Sequence, residues 1–195
     1  MSLVLYLHGF ASSSLSEKAQ QTKTYFGQHY PDIELLLPDL PYTPHEAVTE
    51  IERQLAGRKP MAVIGSSLGG FLATWLAERF GCKACLINPA VAPYELLQQH
   101  LGRYFHPVRQ CYYEVCQHAM QGLLQLEPNQ LAQPQNYLVL LQTGDEVLDY
   151  RQAVQYYQHC QLDIQQGGDH SYRDFKQQLP LIASFCLNPD PSFAP

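Results

Sequence analysis

No stretch of this 195-residue sequence holds the roughly 20 consecutive apolar residues that a membrane-crossing helix needs. A signal-peptide pattern is missing as well. Leu3-Val4-Leu5-Tyr6-Leu7 is too short for the apolar core of such a segment, and no Lys or Arg precedes it. Basic runs are absent: Lys and Arg number 12 against 18 Asp and Glu, a formal net charge of -6. That balance makes nucleic acid and anionic membranes poor partners and points to a soluble, cytoplasmic chain. A second C-x-x-C is also missing. Cys82-x-x-Cys85 stands alone among six cysteines, and Cys85 falls inside an expected strand. Buried, reduced thiols are therefore expected, rather than a structural zinc or a disulfide. No internal repeat is visible.

What is present suits one domain over 1–195. Hydrophobic residues make up 46% of the chain, and a domain of this length buries roughly 70% of its unfolded surface. Short, continuous apolar runs at 3–7, 33–37, 61–64, 84–87, 137–141 and 162–165 predict strands buried on both faces. Helical periods alternate with them. Ser14-x-x-Glu17 fits a capping box opening a helix to about residue 30, and Thr43-Pro44-His45-Glu46 fits a second. Leu68, Phe71, Leu72, Trp75, Leu76 and Phe80 keep helical spacing up to Gly81. Residues 149–158 and 173–186 predict two more helices, Pro180 bending the last, and 188–195 is expected to fray. Residues 90–135 break the alternation. They are rich in Gln and Tyr and show no clear strand, so a small helical cap is expected, with helices near 94–101 and 112–124. Strands alternating with helices imply an α/β fold: about six mostly parallel strands, helices on both faces, the cap inserted after the fourth strand.

In such sheets the site lies at the carboxyl ends of the strands. There the sequence reads Gly65-Ser66-Ser67-Leu68-Gly69, between an apolar run and a helix. G-x-S-x-G in that setting is a nucleophile elbow, a turn so sharp that the central serine is strained and its hydroxyl exposed. Ser67 is the nucleophile by register. A serine hydroxyl needs a base, and the base needs an acceptor to orient it. Of the eight histidines, six lie in expected helices or the cap or begin a helix, and His8 ends the first strand in the His8-Gly9-Phe10 loop; His170 follows the last strand on the small-residue loop Gly167-Gly168-Asp169 and is the candidate base. Asp145, at the turn after the fifth strand, is favoured as the acid over Glu146 and over Asp149, which suits a helix cap. Asp169 is badly placed to orient its own neighbour. The order Ser, Asp, His is that of α/β-hydrolases. Backbone N–H groups of Leu68 and of Phe10, in the His8-Gly9-Phe10 loop, are the expected oxyanion donors; His8 is then structural.

Leu5-Tyr6-Leu7-His8-Gly9-Phe10, Gly65-Ser66-Ser67-Leu68-Gly69-Gly70, Asn88-Pro89-Ala90 and the run from Gln142 to Ala153 resemble the YqiA-like esterases of bacteria. The resemblance covers the chain from Leu3 to about Phe185. It implies a small α/β-hydrolase fold and serine-esterase activity on acyl esters, with acyl-CoA thioesters as an alternative. Its triad falls on Ser67, Asp145 and His170. No metal or organic cofactor is required by such chemistry. The apolar, aromatic cap suggests either an acyl-chain pocket or a plain cover for the sheet, and its only cations, Arg103 and Arg109, give little grip on nucleotide phosphates. The rival from another class is a non-catalytic binding protein on the same fold.

Overall fold

Residues 2–106 and 110–188 are described by the computed structural model. Six strands form one sheet: β1 (Ser2–Leu7), β2 (Ile33–Leu36), β3 (Ala62–Ser66), β4 (Lys83–Ile87), and, past the cap, β7 (Tyr137–Gln142) and β8 (Gln161–Gln165). Their order is β2-β1-β3-β4-β7-β8, and every pairing is parallel. The uniform apolar runs have a direct cause. Alternate residues of the central strands enter different cores, so their interior positions are shielded from water on both faces. Leu3, Leu5, Val63, Leu86, Val139 and Leu141 share one core with helices α2 (Pro44–Leu55) and α3 (Leu68–Phe80). Val4, Tyr6, Ile64, Cys85, Ile87 and Leu140 share the other with α1 (Glu17–His29) and α7 (Leu179–Leu187).

The chain runs from β1 outward to β2, then returns to lay β3 on the opposite side of β1. That reversal opens a crevice beyond the carboxyl ends of β1 and β3, the usual place for a site in a doubly wound sheet. The His8-Gly9-Phe10 loop and Ser67 leave those two ends.

Several local expectations change. The insertion does follow β4, and it carries helices α4 (Pro93–Gln98) and α5 (Gln117–Leu126). Between them lies an unexpected antiparallel hairpin, β5 (Gly102–His106) with β6 (Cys111–Val115). Residues 112–115, expected as helix, are therefore strand. The alternation that marks a strand is hidden because both faces are aromatic: Tyr104 pairs with Tyr113 and Phe105 with Tyr112, and Phe105 and Tyr112 are 47% and 63% exposed. Arg109 of the cap lies outside the described residues, as do 189–195 of the tail expected to fray.

The Ser14 capping box does not form. Ser14 gives its N–H to the Asp39 carboxylate at 2.7 Å, and the helix begins after Ser16. Thr43 does cap α2, accepting from the Glu46 N–H at 3.3 Å while its hydroxyl donates to the Glu46 carboxylate at 2.6 Å. Pro180 starts α7 instead of bending it, because the first helical turn has no use for the N–H that proline lacks. The preceding residues Phe175–Gln178 form a 3-10 turn. Asp149 accepts from the Arg151 N–H at 3.0 Å and caps α6 (Tyr150–Tyr156), as its position suggested.

Two isoleucines test this account of burial. Ile64 is 0% exposed and Ile164 on edge strand β8 is 41% exposed. In urea titrations, Ile64→Ala should cost about 2–5 kcal/mol and Ile164→Ala within about 0.5 of zero. Equal losses would mean that the sheet is not buried on both faces in solution.

Candidate active site

The elbow is built by close backbone approach. Ser67 has φ 56° and ψ -122°, a conformation that non-glycine residues rarely adopt. Gly65 lies against the first turn of α3, and a Cβ there would strike the Gly69 carbonyl. Gly69 lies against β1, where a Cβ would strike the Leu7 carbonyl oxygen. Both glycines are needed because the helix start touches two strand ends at once. The turn is then held by hydrogen bonds. Ser67 N–H donates to the Ile87 carbonyl at 3.0 Å, and the Ser67 carbonyl accepts from Ala90 N–H at 3.1 Å, tying the root of the cap to the elbow.

The structure brings three of the residues singled out in the sequence into one relay. His170 Nε2 lies 3.1 Å from Ser67 Oγ. Its Nδ1 lies 2.9 and 2.8 Å from the two oxygens of Asp145. The Asp145 side chain is 2% exposed and that of His170 22%. Asp145 Oδ1 also accepts from the N–H groups of Val147 and Leu148 at 2.9 and 2.8 Å, which fixes the carboxylate. Asp149 is engaged at its helix cap, and Asp169 faces Arg173 at 3.5 Å, so neither reaches the imidazole through these contacts.

Phe10 and Leu68 flank the serine. A Cβ on Gly9 would lie 3.3 Å from Ser67 Cβ and 3.8 Å from its Oγ, so the Gly9-Phe10 backbone passes directly beside the hydroxyl. Leu68 is the first residue of α3, where amides have no intrahelical acceptor. His8 is buried. Its Nδ1 pairs with the Gly9 carbonyl at 2.8 Å and its Nε2 accepts from Leu40 N–H at 2.9 Å, which joins the β1 and β2 exit loops.

Three residues to which the sequence reading gave no such role hold the His170 loop. Asn88, at φ 40°, donates from Nδ2 to the Asp169 carbonyl at 3.0 Å and accepts on Oδ1 from Gln142 N–H at 2.9 Å. Gln142 Oε1 accepts from the N–H groups of Asp169 and Arg173 at 3.1 and 2.8 Å. Glu146 accepts the His170 N–H at 3.0 Å, and that bond holds its carboxyl below the usual carboxylate range. The only signal for Asn88 and Gln142 was their place directly after strands.

Over Ser67 lies a cavity of about 360 Å³, walled by Phe10, Leu97, Tyr104, Tyr113, Val115 and His170 among others. Tyr113 stands edge-on to Phe10 (centroids 5.5 Å apart) and stacks on Tyr42 (4.4 Å). Among the described residues, no cluster of three or more His, Cys, Asp or Glu is arranged to hold a metal ion. Cys82, Cys85 and Cys186 are buried and free, and burial pushes the Cys82 thiol up to about 11.

Comparison with known proteins places the chain in a family and identifies its fold. Residues 3–187 match the uncharacterised protein family UPF0227. The chain belongs to the UPF0227 family. A UPF0227 protein of Shewanella sp. (strain ANA-3) is 25% identical across 95% of this chain and 100% of its own length. Another from Serratia proteamaculans (strain 568) is 23% identical across 94% and 98%. Among solved structures, the esterase domain of a Rhodothermus marinus protein superposes with a TM-score of 0.69, 17% identity and coverage of 94% and 85%. Est1E from Butyrivibrio proteoclasticus, with ferulic acid bound, gives 0.67 at 17% identity and 96% and 88%. A methylesterase from Arabidopsis gives 0.65 at 14% and 93% and 97%. This UPF0227 chain therefore has the α/β-hydrolase fold, and it retains the YqiA-like resemblance read from its motifs. No helix among the described residues is long and apolar enough to cross a membrane.

The loop contacts give a direct check. Glu146→Ala removes one bond to the His170 backbone, so any reaction that uses this imidazole should slow by about fivefold, the worth of one hydrogen bond. Thermal melting should stay near that of the parent protein. An unchanged rate would show that Gln142 and Asn88 hold the loop alone.

Proposed function

We propose that this protein is a serine hydrolase that cleaves small carboxylic esters through an acyl-enzyme. The observation that supports it best is the relay from Ser67 Oγ through His170 to Asp145, at 3.1 and 2.8 Å. In this reading His170 Nε2 takes the Ser67 proton as Oγ attacks the ester carbonyl carbon. Asp145, fixed by its two backbone donors, holds Nδ1–H toward itself and stabilises the imidazolium. The new oxyanion sits between the N–H groups of Leu68 and Phe10. His170 then gives its proton to the leaving alcohol, the C–O bond breaks, and Ser67 carries the acyl group. Water repeats the sequence, releases the acid and restores the serine.

Esters are favoured over acyl-CoA thioesters. Among the described residues no Lys or Arg lines the cavity over Ser67, and the Arg103 guanidinium is engaged over the Tyr112 ring at 4.4 Å. Among the described lining residues a nucleotide's phosphates would find no Lys or Arg counter-charge. The strained Ser67 backbone argues against a binding-only protein, because such strain persists where a function uses it.

A fluorophosphonate probe should label the folded protein at Ser67 and leave Ser67→Ala unlabelled. No labelling of the parent protein would sink the proposal, and labelling of Ser67→Ala would move the nucleophile elsewhere. Asp145→Asn should lower kcat by about 10⁴, as expected when a triad carboxylate no longer sets the tautomer, while Asp149→Asn should retain most activity. The reverse pattern would transfer the acid's role to Asp149.

A further inference from the structure

Behind the cavity over Ser67 lies a second, smaller one. Its volume is about 30 Å³, and it lies under the cap between α2 and α5. Leu40, Tyr42, Ala47, Ala119, Met120 and Leu123 form its far walls. Phe10, Leu68, Leu97 and Val115 line both cavities and so form a shared partition. Of the polar side chains at its edge, His8 pairs with Gly9 and Leu40, Thr43 with Glu46 and Tyr42 with Cys111, and the exposed Glu114 completes the rim. Protein interiors are packed too closely to leave apolar space of this kind without cost, and an apolar cavity of this sort stays dry.

Its direction is informative. The leaving group must face His170 Nε2, which protonates it. The carbonyl oxygen must face the Leu68 and Phe10 amides. The acyl chain is then directed away from His170, toward the partition that Phe10 and Leu68 help to build. Resting on the serine-hydrolase reading, we propose that this second cavity is the tail subsite for an unbranched aliphatic acyl chain. The chain passes Leu97 and Val115 and ends against Ala47, Ala119 and Met120. Met120 has the conformational freedom to yield to the chain end. The partition is thus the determinant of acyl length. The aromatic stack of Phe10, Tyr113 and Tyr42 roofs the passage and keeps it narrow, which disfavours bulky acyl groups.

The test is a series of p-nitrophenyl esters from acetate to decanoate on the full chain. For the unaltered protein, kcat/KM should rise about fourfold per added methylene until the subsite is filled, then fall. Ala119→Leu fills the subsite from α5 and should move the peak to shorter esters with acetate changed by less than about twofold. Leu97→Ala opens the partition and should move it to longer ones. A flat or falling series in unaltered protein that hydrolyses acetate overturns the subsite and leaves the hydrolase reading standing. An unmoved peak in both variants, each melting near the parent temperature, overturns it as well. If the variants do not fold, the unaltered series decides alone. Absence of both acetate hydrolysis and fluorophosphonate labelling removes the hydrolase reading, and the subsite with it.

Discussion

The start of α3 touches the ends of β1 and β3 with backbone against backbone. Everything at the site depends on that contact. It requires glycine at 65 and 69, since a Cβ at either position would meet a carbonyl oxygen. It also leaves Ser67 no relaxed conformation, which is why a serine sits at φ 56°. The same approach places the Gly9-Phe10 backbone beside the hydroxyl and the first amide of a helix behind it. One steric arrangement therefore strains the serine and brings two backbone segments around its hydroxyl. The strain is tolerated because the strands on either side are wholly buried and the Ser67 carbonyl and amide are both bonded.

The histidine depends on a different device. His170 stands on a loop whose own residues, Gly167 and Gly168, provide no side-chain contacts. Its position is set from outside, by side chains leaving β4 and β7. Asn88 and Gln142 take the backbone polar groups of Asp169 and Arg173, and Glu146 takes the His170 amide. Asn88 and Gln142 also bond to each other through Asn88 Oδ1 and the Gln142 N–H. The imidazole is thereby referred to the sheet at two strand ends, and through Asp145 to the same β7 exit. A mobile-looking loop becomes a fixed support for the base.

The elbow and the parallel strands were legible in the sequence for physical reasons. Doubly buried strands read as plain apolar runs, and glycines two before and two after a serine mark a turn that only they permit. The hairpin of the cap was not legible. Tyr104 and Tyr113 face the cavity while Phe105 and Tyr112 face outward, so the alternation in polarity that reveals a strand is missing. The β-favouring Tyr and Phe content was the signal that remained. The loop supports were hidden for another reason. In a chain rich in Gln, nothing local separates Gln142 from its neighbours; its role exists only because β7 and β8 are adjacent. Ser14 misled because a capping-box pattern carries no information about Asp39, which takes its amide from 25 residues away.

The central claim is that Ser67, raised by this elbow, carries an acyl group during turnover. The most direct measurement is peptide mass spectrometry of the unaltered protein quenched in acid during its first turnovers of p-nitrophenyl acetate, since an activated ester acylates the serine faster than water removes the acyl group. An acetyl group confined to the peptide containing Ser67 is the expected result. Hydrolysis by the unaltered protein with no acyl adduct trapped, or an adduct on a residue other than Ser67, would contradict the account.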